Sequence, residues 1–403
     1  MPSPSLAIMP TTTRLRAALS LHEYLVRRHW NGEALIGPDP GVRFNYRAGR
    51  FIKNYLPGSW WRDDLCYMQA QGYWVLANWD LYARTGEARY GEIAVRGSRY
   101  IVAQQRQDGA WEYPNPEWKG RVATVEGIWA SLGLLETFRQ TEGDRFLAPV
   151  LRWCAYLQER IGFQQVGDEL AINYFAGMPG SRVPNNSADA LRFFAELASV
   201  TGDWHYLEPS RGLLLFLQRA QKPSGEFPYT VDPGGRRDPR LHFQCYQYNA
   251  FESLGLMRYH ELTGDVAPLP IVTALLRFLR AGVAADGHVF YDCSHAHRAV
   301  TYHAAAVGAA FARAGELNID HCDELSNRAF GYVRRMKQRD GGYVYSTGDY
   351  RWLRDQRSYP RYLAMILHHL LLAQRDPHAH PDGHTRAALA GSSRDDGADG
   401  PAD

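Results

Sequence analysis

The sequence predicts an all-α fold, an (α/α)6 toroid of six helical hairpins with one ring of helices inside another. Two recurring markers and a contrast in helix composition predict it. The first marker is clearest in Arg96 to Trp111, RGSRYIVAQQRQDGAW, where a helical run ends in Gln105 and a polar turn closes on Gly109 and Trp111. The frame returns in Arg211 to Phe227 with Gln221, Gly225 and Phe227, and in Arg328 to Tyr343 with Lys337, Gly341 and Tyr343. Phe278 to Phe290 keeps the Asp286-Gly287 turn and Phe290, and weaker copies run Tyr24 to Gly32 and Tyr156 to Gly167. Turn glycines 109, 167, 225, 287 and 341 are 58, 58, 62 and 54 residues apart, the mark of an array of like units.

The second marker fills the other half of each unit. Thr85-Gly86-Glu, Thr141-Glu-Gly143-Asp, Thr201-Gly202-Asp and Thr263-Gly264-Asp each follow a run with apolar residues at helical spacing, and Ala314-Gly315-Glu is a worn copy. Glycine past such a run stops a helix, because the position wants a left-handed backbone. Six first helices are expected near 13–29, 91–107, 146–161, 208–221, 269–282 and 322–338. Six second helices are expected near 64–84, 123–140, 187–200, 247–262, 299–313 and 359–373. The second set is apolar or small on several sides, as in AAAVGAA from Ala304 to Ala310, which suits an inner ring buried all round. The first set carries more charge, as in Arg334-Arg335-Met336-Lys337. Closing the ring buries both end faces, which an open array must cap.

The toroid is placed at 15–373, after an N-terminal arm at 1–14. Residues 36–61 read as an insertion before the first inner helix. Residues 374–403 are polar and rich in Gly, Ala and Asp, and are expected to be a disordered tail containing His378, His380 and His384. A hydrophobic fraction of 45% and an aromatic fraction of 13% suit a large core with an aromatic-lined cavity. A net charge of +2 gives no case for nucleic acid or an anionic membrane. The five cysteines form no CxxC pair, so no disulfide framework or zinc ribbon is expected. No signal peptide or membrane-length apolar run is visible, which makes cytoplasmic the default. Oligomeric state is not legible.

In this topology the segments leading into the inner helices crowd one mouth of the ring. They carry Trp61, Arg62, Asp63 and Asp64; Glu126; Tyr174 with Asn185, Asn186 and Ser187; His242, Gln244, Tyr248 and Asn249; Tyr302 and His303; and Arg357, Tyr359 and Arg361. Aromatics mixed with amides and guanidiniums suit sugars, because rings stack on C–H faces while polar groups bind hydroxyls and carboxylates. One of Asn185, Asn186 and Ser187 caps the third inner helix, and Asp63-Asp64 are a cap and first-turn partner or a catalytic pair. Glu126 is a catalytic carboxylate or an internal partner of Arg121. Cys293, His295 and His297 supply zinc-ligand types without a fourth, so no metal and no cofactor is expected. No GxGxxG, GxxxxGK[ST] or GxSxG motif is present.

The Thr-Gly-Asp helix ends and Gln-x-x-Asp-Gly-x-Trp turns resemble the glycan-acting six-hairpin toroids: unsaturated glucuronyl hydrolases, glucuronyl C5-epimerases and toroid polysaccharide lyases. The chain also resembles exopolysaccharide-production proteins, in segments such as Leu170 to Phe175 and Ser358 to Tyr362. Arg96 to Trp111 also resembles the QW repeat of terpenoid cyclase and prenyltransferase toroids, but their DxDD acid and zinc ligands are not matched. The first resemblance implies an enzyme acting on a uronate-containing or acidic glycan in bacterial polysaccharide production. The polar inventory favours lyase or epimerase chemistry, with Asn185, Asn186 or Arg361 neutralising the substrate acid and Tyr248, Tyr302, His242 or His303 moving the proton. Hydrolysis would draw on Asp63 or Asp64 with Glu126 or Asp189. An isoprenoid cyclase and a non-catalytic glycan-binding protein are the alternatives.

Overall fold

The computed structural model describes residues 11–42, 52, 56, 64–180, 182–231, 244–349 and 351–373. Among the described residues, twelve helices of at least eleven residues alternate between two rings. The outer ring is α1 (Thr11–Arg28), α3 (Ala88–Ala103), α5 (Asp144–Tyr156), α7 (Ser210–Ala220), α9 (Leu269–Ala281) and α11 (Asp323–Arg335). The inner ring is α2 (Met68–Thr85), α4 (Thr124–Thr141), α6 (Pro184–Thr201), α8 (Cys245–Thr263), α10 (Thr301–Glu316) and α12 (Pro360–Leu372). The two rings differ as their composition requires. In α10 every residue from Thr301 to Ala314 is buried, whereas α11 buries only the stripe Ser326, Ala329, Phe330, Tyr332 and Val333.

The ring closes. α12 packs against α2 and α1, Arg14 donates to the Ala373 carbonyl at 2.9 Å and Arg84 to that of Leu371 at 3.0 Å. Each unit also locks onto the next through its turn glycine. A Cβ on Gly287 would lie 2.0 Å from the Arg328 carbonyl of α11, at a φ of +87° that suits glycine alone. Gly225 meets Ala274 of α9 in the same way, and Gly341 meets Ser20 of α1, so the last turn seats on the first helix. The repeated glutamine has a matching job. Gln105 Nε2 donates to the carbonyls of Gly109 and Pro149, and Gln221 Nε2 to those of Gly225 and Ile271, tying each turn to the following outer helix. At the opposite end, Thr85, Thr141, Thr201 and Thr263 each donate to the carbonyl four residues back, at 2.8 Å. The same hydroxyls accept from the amide two residues on, which explains threonine before the helix stop.

Two details depart from expectation. Gly167 is not a unit turn. It lies in a hairpin of β1 (Phe163–Val166) and β2 (Glu169–Ile172), which replaces the usual connection after α5 ends in a π-turn at Leu157–Ile161. The all-helical plan also acquires a four-stranded antiparallel sheet at the mouth: β3 (Phe290–Asp292), β4 (His295–Val300), β5 (Ser346–Asp349) and β6 (Leu353–Asp355). These are the approaches to α10 and α12, and β4 pairs with β5 across two units through Ala299↔Thr347 and Val300↔Ser346.

At the far end an ion-pair belt crosses four consecutive inner helices. Glu196 of α6 joins Arg139 of α4 to Arg258 of α8, and Arg313 of α10 pairs with Glu261 and Glu316. No described helix is long and apolar enough to cross a membrane.

Candidate active site

The inner helices start at one end of the ring and their first turns supply its polar lining. The third residue of each is Ala70, Glu126, Asn186, Gln247, His303 and Tyr362 in turn. Glu126, Asn186, Gln247 and His303 are all buried. A second set comes from the turns: Tyr113, Tyr229, Tyr291 and Tyr345 each lie four residues after a turn glycine, behind a buried Trp111, Phe227, Val289 or Tyr343. One side chain of each turn anchors the core, and the tyrosine two residues on reaches the mouth.

These rings pack in groups around the mouth. Tyr67 meets Tyr113 edge-on at 5.7 Å, Tyr229 meets Tyr248 at 5.1 Å, and Tyr302 meets Tyr362 at 4.5 Å. Tyr345 packs on Tyr359 at 4.9 Å, and Tyr291 stacks on His303 at 5.6 Å. A small cleft opens among Tyr302, Tyr345, Arg357, Tyr359 and Tyr362. One to two turns deeper along the inner helices, a plug of buried side chains closes the ring. Tyr73 stacks on Trp129 at 3.8 Å, Arg192 lies 4.9 Å from the Trp129 ring, and Asp189 and Glu252 are buried beside them. The mouth is therefore a bowl.

Charge enters the wall as buried pairs. Arg361 Nε is 2.7 Å from Asp39, its Nη2 donates to Asp39 at 2.9 Å and to Tyr362 at 2.6 Å, and its guanidinium lies 4.1 Å from the Tyr67 ring centre. Arg298 pairs with Asp349 at 2.5 Å and stacks 4.3 Å over Tyr291. Glu126 is fully buried, and its Oε2 accepts from the Gln69 amide at 3.0 Å at the start of α2. Its Oε1 has no hydrogen-bond partner. Burial pushes this carboxyl up to about 7, against the opposing pull of the helix amides and Arg361. His303 has no partner on either nitrogen, and burial, helped by Arg298, holds its imidazole neutral. Burial also keeps Tyr248 and Tyr302 protonated, with the Tyr302 hydroxyl donating to Gln247 at 3.1 Å.

Glu126, Tyr174, Asn186, Gln244, Tyr248, Tyr302, His303, Arg357, Tyr359 and Arg361 thus gather at the mouth. Gln244 stands there in a left-handed backbone with φ +48°, donating to the Tyr291 hydroxyl at 2.8 Å. Trp61, Arg62, Asp63 and His242 lie outside the described residues.

Several expected roles are corrected. Asp64 is exposed and caps nothing: the residue before α2 is Tyr67, and the carboxylate at that helix start is Glu126 from the neighbouring helix. Nor do the asparagines cap α6, whose cap position is Val183 followed by Pro184. Asn185 is half-buried, while Asn186 is buried with both amide atoms unpartnered. Asn249 is fully committed to the fold, bonding the Phe227 amide and the carbonyls of Phe227 and Cys245. Tyr359 donates to Asp355 at 2.8 Å, and Arg121 sits over Trp118 rather than on Glu126. Reasoning from sequence missed Asp39, Tyr67 and the four turn tyrosines. The last had a signal, the aromatic four residues past each turn glycine.

The closed double ring with a bowl at the inner-helix starts is the architecture of six-hairpin toroids. The chain is similar to a possible member of the GH105 family from Salmonella enterica, with a TM-score of 0.69 at 11% identity over 92% of this chain and 96% of that one. It is similar to cellobiose 2-epimerase from Bacillus thermoamylovorans, with a TM-score of 0.69 at 13% identity over 90% and 99%. A polysaccharide lyase gives 0.63 at 12% identity over 90% and 96%. No protein-family model and no curated protein sequence matches the chain.

Proposed function

We propose that the protein is an enzyme acting on a carbohydrate, and more narrowly that it moves a proton on a uronate-containing or acidic glycan during bacterial polysaccharide production. The observation that carries this reading is Glu126. It is a fully buried carboxyl raised to about 7, with one oxygen unpartnered, at the start of an inner helix by the tyrosine-lined mouth. Capping α2 occupies Oε2 and leaves Oε1 for a ligand. A carboxyl that titrates near 7 either gives or takes a proton at working pH.

The neighbours divide the remaining work. His303, neutral and partnerless, is the candidate acceptor. Tyr302 and Tyr248, held protonated, are candidate donors. Asn186 offers two unused amide atoms, and Arg357 borders the cavity where a substrate carboxylate would lie. Arg361 is already committed to Asp39 and Tyr362, so its role is to fix local charge rather than to clamp substrate. Abstraction next to a carboxylate then leads to elimination or epimerisation. Among the described residues a hydrolytic pair is less well supplied, because Asp189 lies in the plug and Asp64 is exposed, while Asp63 lies outside them. The isoprenoid reading is disfavoured by the buried amide of Asn186 and imidazole of His303 among the rings, where a cyclase pocket would be almost purely aromatic.

The resemblance of the fold to a possible GH105 member, an epimerase and a lyase supports sugar chemistry without choosing among reactions. Incubation with uronate-containing and neutral oligosaccharides in D2O discriminates among them. Deuterium uptake next to the carboxylate, or an unsaturated uronyl product, is expected, and E126Q should abolish it. Binding without exchange or cleavage would leave only a lectin-like role, and turnover of neutral sugars alone would overturn the acidic-substrate reading.

A further inference from the structure

We propose that Cys245, Cys293 and Glu226 form a thiolate-rich site for a zinc-class divalent cation on the rim of the bowl. The three come from separate segments. Cys245 is the first residue of α8, Cys293 lies in the β3–β4 turn, and Glu226 follows the turn glycine Gly225. Their Sγ, Sγ and carboxylate oxygen all lie within 4.8 Å of one another, with the two sulfurs 3.1 Å apart. Zinc sits about 2.3 Å from sulfur and about 2.0–2.2 Å from carboxylate oxygen, so ligands sharing one ion are spaced by roughly 3.5–4.5 Å. The cluster is at that scale, and a small opening of the sulfur pair admits the ion.

Two features favour an ion over a simple thiol contact. Glu226, only 3% exposed, sets a carboxylate oxygen beside both sulfurs, a donor set of the kind that zinc-class ions take. Two thiolates and a carboxylate leave a net negative charge on a divalent ion, and Lys222 Nζ stands 3.2 Å from Glu226 to offset it. Cys293 is exposed, so water reaches the fourth position. On binding, each thiol releases its proton to solvent, and affinity therefore rises with pH. The ion would tie the β3–β4 hairpin, which carries Tyr291, to the start of α8, which carries Tyr248. The sequence set Cys293 beside the zinc-ligand types His295 and His297, and no metal was expected. The fold instead brings Cys293 to a cysteine 48 residues upstream.

The test uses the full chain, stripped with chelator, loaded with Co2+ and dialysed. One cobalt per chain is expected, with a thiolate-to-cobalt charge-transfer band that Zn2+ abolishes. C245S and C293S should remove the band, E226Q should weaken binding about tenfold or more, and C322S should leave it unchanged. Cys293 is exposed on a turn, so C293S, checked by circular dichroism, carries the test if C245S does not fold. A loaded protein without the band overturns the site. So does a non-reduced digest in which Cys245 and Cys293 are linked and the chain is lighter by two hydrogens.

Discussion

Replacing Glu126 with glutamine separates its electrostatics from its shape. Glutamine keeps an oxygen to accept from the Gln69 amide but cannot ionise. In the native protein burial raises the carboxyl from an ordinary 4.5 to about 7. A raised carboxyl binds its proton more tightly folded than unfolded, so folding is favoured below about 4.5 and loses that advantage as pH rises through 7. At about 1.4 kcal/mol for each tenfold in proton affinity, the loss is on the order of 3 kcal/mol. Chemical denaturation at pH 5 and pH 9 should therefore show E126Q gaining about 3 kcal/mol relative to wild type across the interval. Asp189 also titrates near 7, but it is present in both proteins and cancels in the difference. Parallel stability curves would refute the reasoning, since they would mean that the carboxyl is solvated or already satisfied in its ionised form.

Two further substitutions test the scaffold. In the far-end belt, burial alone would raise Glu196, but Arg258 and Arg139 prevail and hold it well below the carboxylate range. Its stabilisation is present above about pH 4.5 and fades as acid protonates it. E196Q should cost about 3–5 kcal/mol at neutral pH, read as a lower denaturation midpoint, and an unchanged midpoint would mean that the belt is solvated. G287A places a methyl 2.0 Å from the Arg328 carbonyl at a positive φ, and should cost about 1–3 kcal/mol or more in the same assay. A neutral result would mean that the turn has room to shift.

The ring was legible because each unit repeats a physical need. Threonine and glycine end the inner helices, a turn glycine meets the next outer helix, and a glutamine ties the two together. Where the sequence misled, a local signal stood in for a tertiary one. Asp63-Asp64 looked like the start of α2, yet the carboxylate there belongs to Glu126, reached only once α4 lies beside α2. Gly167 fell on the right spacing but turns a hairpin. Asp39 could not be found from sequence because its partner, Arg361, lies 322 residues away and meets it only when the ring closes.

The placement of unsatisfied groups argues for function more strongly than any single residue. At the far end buried charges are matched: Glu196 lies between two arginines and Arg313 between two glutamates. At the mouth, the same inner helices begin with Glu126, Asn186 and His303, each buried and each with at least one polar atom lacking a partner. An unsatisfied buried group costs about 1–3 kcal/mol. The same inner helices thus pair their buried charges at one end and begin with unpartnered polar atoms at the other. On the proposed reading, the missing partner comes from outside the chain, as a hydroxyl-rich ligand seated among the tyrosines.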